Sequence, residues 1–316
     1  MKFGLCLPHE TQHMAGETAT ADDVIRLAQL AEQLGYDSVW VVDHFCYRPY
    51  DDKDELGVNV PEENQELVIG AWECWTTATA IAMATERVQI GTLVSNTGYR
   101  NPALLARMAE TVDAFSHGRL IFGLGAGDFP SEHAMFGYPW EGRIGRFEEA
   151  LQIIKPMMRG ETVTFEGEHY CVKEARLLPR GPRTEGAPIL IGVLGKGPRM
   201  KRLVAQYADQ WNCWLAFRDN RPQTYLEFRD AMFAACEKHG RDPSTLSLNV
   251  TARVCALDVP PEFADTHPIT GSAQQIADQL NQFAQLGVSH MNTFLSPNNE
   301  RGYEALAPAL DLLDKG

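Results

Sequence analysis

An aspartate and a histidine, Asp43 and His44, end the apolar run "SVWVVDHF". An ionisable pair in such a place is costly to bury without partners or a purpose. A histidine there exchanges a proton near neutral pH, or sets positive charge beside a reduced ring. A plain hydrogen bond between the two side chains, closing the strand, is the structural alternative, and spacing leaves both readings open. Two more stretches carry possible chemistry. In "IGVLGKGPRMK", Gly192, Gly195 and Gly197 lie between a strand pattern and a helix pattern, with Lys196 and Arg199 beside them. Free backbone N–H groups at a helix start suit a phosphate, which is favoured here over an ordinary turn. In "GTLVSNTGYRNP", Ser95, Asn96 and Thr97 offer hydrogen bonds to a heterocycle, although spacing alone would leave them as loop residues.

The stretch "RLIFGLGAGDFPSEH" poses a choice between folds. A dinucleotide fingerprint needs G-x-G-x-x-G. After Gly123 and Gly125 the third glycine falls on position 128, which is Asp128. Pro130 disfavours helix at Phe129, so "FPSEH" does not start a helix where the fingerprint wants one. The stretch is therefore a strand whose alternate residues lack side chains. Glycine in a strand marks close approach of a ligand or of another backbone. Tight packing accounts for Gly123 and Gly125, and Gly127, at the strand end, is the candidate for ligand approach.

These residues need a scaffold that gathers strand ends. The chain alternates short apolar strands with helices, from "KFGLCL" and "TADDVIRLAQLAEQLG" to "VSHMNTFL" and "YEALAPALDLLD". Helix starts are marked by Thr20 with Asp23, by Pro102, and by Ser272 with Gln275. Eight such units imply a parallel sheet closed into a (β/α)8 TIM barrel, one domain over residues 1–316. An open doubly wound sheet is the alternative. The segment "ETVTFEGEHYCVKEARLLPRGPR" alternates like a hairpin and marks an insertion at about 160–187; a long acidic one spans 46–70. On a barrel the active site sits at the carboxyl ends of the strands. That gathers His9, Asp43, His44, Ser95–Thr97, Gly127, Asp128, Ser131, Gly192–Gly197, Trp211, Asn212, Asn292 and Thr293.

Composition narrows the function classes. The 316 residues carry 28 Lys and Arg against 42 Asp and Glu, a formal charge of −14, which argues against nucleic acid or an anionic membrane as partner. Seven scattered cysteines without a C-x-x-C point to reduced thiols in a cytoplasm, not to a disulfide framework or a zinc site. The N-terminus lacks the apolar core of a signal peptide, and no apolar run reaches the roughly 20 residues that cross a bilayer.

Taken together, "LAEQLGYDSVWVVDHF", "GAWECW", "NPALLARMAETVDAFSHGRLIFGLGAG", "RIGRFEEALQIIKPMMRGE" and "PILIGVLGKGPRMKRLVAQYADQWN" resemble the bacterial luciferase-like superfamily. Within it, they are most like the coenzyme F420-dependent oxidoreductases. The resemblance is close up to about residue 215 and loose beyond. It implies a barrel with an insertion near the fifth strand, a homodimer, and a flavin-type ring across the barrel mouth. It implies a phosphate site over Gly192, Val193, Leu194, Gly195, Lys196 and Gly197, and a non-prolyl cis peptide within Leu93–Ser95 backing the ring. Asp43, Val94, Ser95, Asn96, Gly127 and Ser131 are the further cofactor contacts it suggests. His44 and Asp128 would flank the site of hydride transfer, with His44 stabilising charge and Asp128 acting as general acid or base. Val193 and Leu194 depart from the family's denser glycine turn, and the 46–70 insertion prevents transfer of a substrate from relatives. The expected reaction is hydride transfer between F420 and a small organic substrate. Alternatives are an FMN monooxygenase using oxygen, a flavin-binding protein without turnover, and a phosphate-binding aldolase-type barrel, which would want a strand-end lysine that the sequence does not place.

Overall fold

The computed structural model describes residues 1–53, 60, 62–193 and 197–313. Its barrel strands are β1 (Lys2–Cys6), β2 (Ser38–Val41), β3 (Gln89–Thr92), β4 (Leu120–Gly125), β5 (Ile189–Gly192), β6 (Gln210–Trp214), β7 (Ser247–Cys255) and β8 (Val288–Ser296). Each pairs in parallel with the next, and β8 returns to β1, so the sheet closes. An open doubly wound sheet is excluded by that closure. The helices are α1 (Ala21–Gln33), α2 (Cys74–Ala84), α3 (Pro102–Phe115), α4 (Pro130–Phe136), α5 (Arg143–Met158), α6 (Pro198–Tyr207), α7 (Pro222–Lys238), α8 (Ala273–Gln285) and α9 (Glu300–Leu310).

Local sequence explains these elements. Thr20 and Asp23 form a reciprocal capping box on α1, and Ser272 and Gln275 do the same on α8. Asn101 caps α3, accepting from the Ala103 and Leu104 N–H groups, with Pro102 in the first turn. Helix α1 buries Val24, Leu27, Ala28 and Ala31 against the sheet, and full burial of Leu27 alone stabilises by roughly 1.5–3 kcal/mol. Strand alternation divides β7 cleanly. Leu248, Val250, Ala252 and Val254 join the core under the helices, which leaves Asn249, Thr251 and Arg253 facing the lumen.

The lumen is filled, not hollow. Trp40 donates to Ser38 Oγ at 2.7 Å, and Ser38 lies 2.7 Å from His290 Nε2. Burial drives the His290 pKa down to about 3, so that ring is neutral. Asn212 and Asn292 both donate to Asn249 Oδ1, at 2.6 and 2.9 Å. Above these polar layers, Cys6, Val42, Leu93, Leu190, Ala216 and Phe294 form an apolar cluster that Val94 and Trp214 join.

The glycines of β4 have a structural cause. A Cβ on Gly123 would lie 1.8 Å from the Thr92 carbonyl oxygen, and one on Gly125 would lie 2.6 Å from Val94 Cγ2. They make room for the end of β3, which supports the packing reading. Gly123→Ala is expected to destabilise the barrel by about 1–3 kcal/mol or more, because the obstacle is backbone. Equilibrium urea unfolding checks this, and unchanged stability would contradict the packing argument.

Three expectations need correction or refinement. A helix does start within "FPSEH": α4 begins at Pro130, and Phe129 remains extended as its cap. Proline is suited to that first position because its missing N–H has no partner there anyway. The 160–187 insertion contains the expected hairpin, Val163–Glu166 against Cys171–Ala175. The 46–70 insertion opens and closes on a short antiparallel pair, Cys46–Tyr47 with Ile69–Gly70, and its residues 54–59 and 61 lie outside the described residues. No helix among the described residues is long and apolar enough to cross a membrane.

Candidate active site at the carboxyl ends of the strands

His44 continues the lumen-facing series Ser38, Trp40, Val42 just past the end of β2. Its Nδ1 donates to Glu132 Oε2 at 2.9 Å, and its ring packs edge-on to Phe129. Glu132 is fully buried in the first turn of α4. It also accepts from the Tyr99 hydroxyl at 2.5 Å, from the Cys46 N–H at 3.2 Å and from the Phe45 N–H. Burial alone would raise the Glu132 pKa, but His44, Tyr99 and the backbone donors hold it below the usual carboxylate range. Burial alone would lower the His44 pKa. The Glu132 hydrogen bond and charge, with Asp128 behind them, outweigh that and push it from 6.5 to about 10. His44 is therefore a cation at neutral pH. Its Nε2, across the ring, has no hydrogen-bond partner among the described residues.

Asp128 lies on the loop between β4 and α4, and its side chain reaches solvent at the barrel mouth. The walls of the mouth nevertheless desolvate it and push its pKa up, against the pull of His44 and with the push of Glu132. Glu10, buried after β1, accepts from the Tyr47 hydroxyl at 3.0 Å and pairs with His13 at 2.9 Å. Burial would raise its pKa, but His13, then His44 and His9, hold it down at about 2. The mouth thus places a cationic imidazole among three carboxyl groups, of which Asp128 has its pKa pushed up and Glu10 and Glu132 have theirs held down.

Asp43 and His44 do not bond to one another. Asp43 faces away from the lumen and takes a bidentate pair from Arg100, at 2.6 and 2.9 Å, while Arg100 also reaches Glu73 at 2.7 Å. The same carboxylate accepts from the Asn96 N–H at 3.1 Å. Asp43 therefore holds the segment after β3 in place, and the simple strand-closing hydrogen bond is not formed. The Leu93–Val94 peptide is cis, inside the expected window. Val94 stands between two bare positions: a Cβ on Gly125 or on Gly192 would meet its methyl groups at 2.6 or 3.2 Å. Ser95 Oγ is buried on the side of Cys74, in α2. Asn96 Nδ2 lies 3.0 Å from His133 Nε2, and a Cβ on Gly127 (φ +89°) would fall 2.6 Å from that same amide. The close approach at Gly127 is thus to Asn96 and His133. Ser131 bonds Asp52 at 2.5 Å and accepts from the Arg48 N–H at 2.9 Å, which fastens the 46–70 insertion to α4.

Gly192 ends β5 and Val193 follows it, and Gly197 caps α6, which has no side-chain cap of its own. Leu194, Gly195 and Lys196, the middle of the expected phosphate turn, lie outside the described residues. Arg199 is paired with Glu148 at 2.7 Å. Trp211 faces the helices and stacks on Tyr225, whereas Asn212 and Asn292 belong to the buried lumen layer. His9 is buried and bonded to the Leu7 and Val42 backbone. Sequence reasoning missed Glu132, Glu10, Tyr99 and Arg100. Reading Pro130 as the first residue of a helix would have placed Glu132 in its first turn, beside the end of β2.

Comparison with known proteins agrees with this geometry. A family model described as luciferase-like monooxygenase matches residues 1–260. The F420-dependent glucose-6-phosphate dehydrogenase of Amycolatopsis mediterranei is 30% identical over 197 residues, 60% of this chain and 53% of that protein. The phthiodiolone/phenolphthiodiolone dimycocerosates ketoreductase of Mycobacterium tuberculosis is 31% identical over 229 residues, 69% of this chain and 56% of its own. The chain thus spans about half the length of the curated relatives it matches. The coenzyme F420-dependent tetrahydromethanopterin reductase of Methanopyrus kandleri superposes with a TM-score of 0.73 at 16% identity, over 99% of this chain and 98% of the other. A monooxygenase from Streptomyces bottropensis does so at 0.76 and 18%, over 99% and 97%. At those identities the two structures speak for the barrel alone. With a closed parallel barrel, a cis peptide after β3 and a family match over most of its length, the chain belongs to the luciferase-like monooxygenase family.

Proposed function

We propose that the protein is a coenzyme F420-dependent oxidoreductase that moves a hydride between the deazaflavin and a small organic substrate. The observation that carries this reading is His44, held as a cation by Glu132 at the barrel mouth beside Asp128. The F420-dependent glucose-6-phosphate dehydrogenase among the relatives supports the choice of cofactor. The residues present fit a flat ring. Val94, bracketed by glycines, gives an apolar wall. Gly192, Val193 and the uncapped start of α6 at Gly197 would hold a phosphate.

When bound, the deazaflavin supplies a carbon that accepts or gives a hydride. The chain supplies orientation and control of charge. His44 presents an Nε2–H to the oxygen where negative charge develops during transfer, which lowers the barrier through a fixed, desolvated charge. Glu132 keeps that proton on His44. Asp128, whose carboxyl group binds a proton more readily than an ordinary aspartate, moves the proton that accompanies the hydride. Asp43 and Arg100 hold the Ser95–Asn96 segment behind the ring wall.

Asp128→Asn is expected to lower kcat about 10²-fold, toward the small end for an acid–base group because water reaches the carboxyl group. It should leave cofactor affinity unchanged. Single-turnover reoxidation of reduced F420 by a panel of ketones measures it, and wild-type rates in the variant would remove Asp128 from the mechanism. An oxygen electrode tests the reaction class. Cofactor reoxidation is expected to depend on the organic substrate and to consume no oxygen. Oxygen uptake matched to reduced FMN would instead establish a monooxygenase.

A further inference from the structure

Arg253 is a buried cation of the barrel mouth whose terminal nitrogens have no hydrogen-bond partner among the described residues. It faces the lumen near the end of β7 and is 5% exposed. Its Nε donates to the Ala216 carbonyl at 3.2 Å. Neither terminal nitrogen donates a hydrogen bond among the described residues, and no carboxylate among them comes within ion-pairing distance. Other well-shielded arginines are answered. Arg100 has Asp43 and Glu73, Arg183 has Asp113, and Arg119 donates to Ser116, Val88, Ala82 and Thr85. A guanidinium carries five donors, and the terminal nitrogens of Arg253 are not among the fully buried unpartnered atoms, so the edge that carries them is open to a ligand. Burial lowers its pKa to about 10, so the charge persists at neutral pH.

The surroundings define which side is open. The guanidinium carbon lies 3.7 Å from the Phe263 ring centre and 4.9 Å from that of Phe217. The rings line part of its surroundings, and the edge of a guanidinium is where a carboxylate or phosphate docks in a two-pronged manner. Phe294, opposite Arg253 in the β7–β8 register, packs on Trp214 and Phe217 at 5.0 and 5.6 Å. A cation beside an aromatic bay suits a molecule with an apolar body and an acidic end. The phosphate turn after β5 stands two strands away in the barrel order, and His44 stands three strands away in the other direction.

We infer that Arg253 is an anion-binding residue of the mouth, and that the substrate carries a carboxylate or phosphate that docks on its free edge. The term substrate rests on the oxidoreductase reading above; the anion site itself does not. The rival source of the same chemistry is an acidic group of the cofactor.

The test uses the whole chain without cofactor, titrated with inorganic phosphate and with acetoacetate by calorimetry. Arg253→Met keeps an apolar stem between the two phenylalanine rings. The wild type is expected to bind at least one of these anions saturably, and the variant to bind it roughly tenfold to a hundredfold more weakly. Circular dichroism of the variant should match the wild type, and its F420 affinity should be unchanged. Equal anion affinity in both proteins, or no saturable binding to the wild type, would overturn the inference and leave Arg253 as a strut between rings. A loss of F420 affinity in the variant would assign the edge to the cofactor and overturn the substrate claim. If the wild type binds no F420 at all, the oxidoreductase reading fails, while the anion titration still decides the site.

Discussion

His44→Gln is expected to lower kcat/KM for substrate reduction by about 10²- to 10⁴-fold while leaving the fold and F420 affinity nearly unchanged. Glutamine is chosen because its amide can still donate to Glu132, so the buried carboxylate keeps a partner. What is lost is the fixed positive charge and the transferable proton on Nε2. The loss should fall on kcat more than on KM, because the charge is matched to the transition state more than to the bound ketone. Stopped-flow reoxidation of reduced F420, with a separate binding titration, separates the two. A variant that turns over at the wild-type rate would show that His44 serves structure alone.

Glu132→Gln is the second large effect, and it reaches stability as well as rate. The carboxylate gathers four donors, from His44, Tyr99, Phe45 and Cys46, in a fully buried position. A neutral amide leaves the imidazolium without its counter-charge, and breaking a buried pair on one side costs roughly 3–5 kcal/mol. The pH dependence follows from the directions of the shifts. His44 has a folded pKa raised from 6.5 to about 10, so its contribution is fully present below 6.5 and is lost as pH rises through 10. Glu132 has a depressed folded pKa, so its contribution is present above the ordinary 4.5 and is lost as pH falls through the folded value. The pair therefore stabilises most between those ordinary values and fades toward high pH. In the variant that slope should vanish from urea unfolding measured between neutral and alkaline pH. The alkaline limb of kcat, expected near 10 in the wild type from the raised His44 pKa, should move to neutral pH or below. An unmoved limb would mean that His44 does not carry the rate-controlling charge.

The barrel was legible because its signals are local and repeated. The capping boxes at Thr20–Asp23 and Ser272–Gln275 formed as written, and the lumen-facing alternation of β4 explains "GLGAG" once β3 lies beside it. His44 and Asp128 were legible as ionisable residues at strand ends, and the fold brings both to the mouth. Glu132 was not, because its role depends on α4 folding back under the end of β2, a contact across 88 positions of sequence. Asp43 misled for a related reason. Adjacency to His44 suggested a shared task, but successive residues on a strand face opposite sides, and Asp43 turns to Arg100. Arg253 gave no sequence signal, since what distinguishes it is the setting of its terminal nitrogens in three dimensions.

The most direct test of the cofactor assignment is an equilibrium titration of the purified apoprotein with F420 and, separately, with FMN, following ligand fluorescence. Saturable F420 binding is expected at one site per chain, with FMN binding at least about tenfold more weakly, the step that about 1.4 kcal/mol of preference gives. Tight FMN binding with none of F420 would contradict it and turn the His44–Glu132 site to another chemistry.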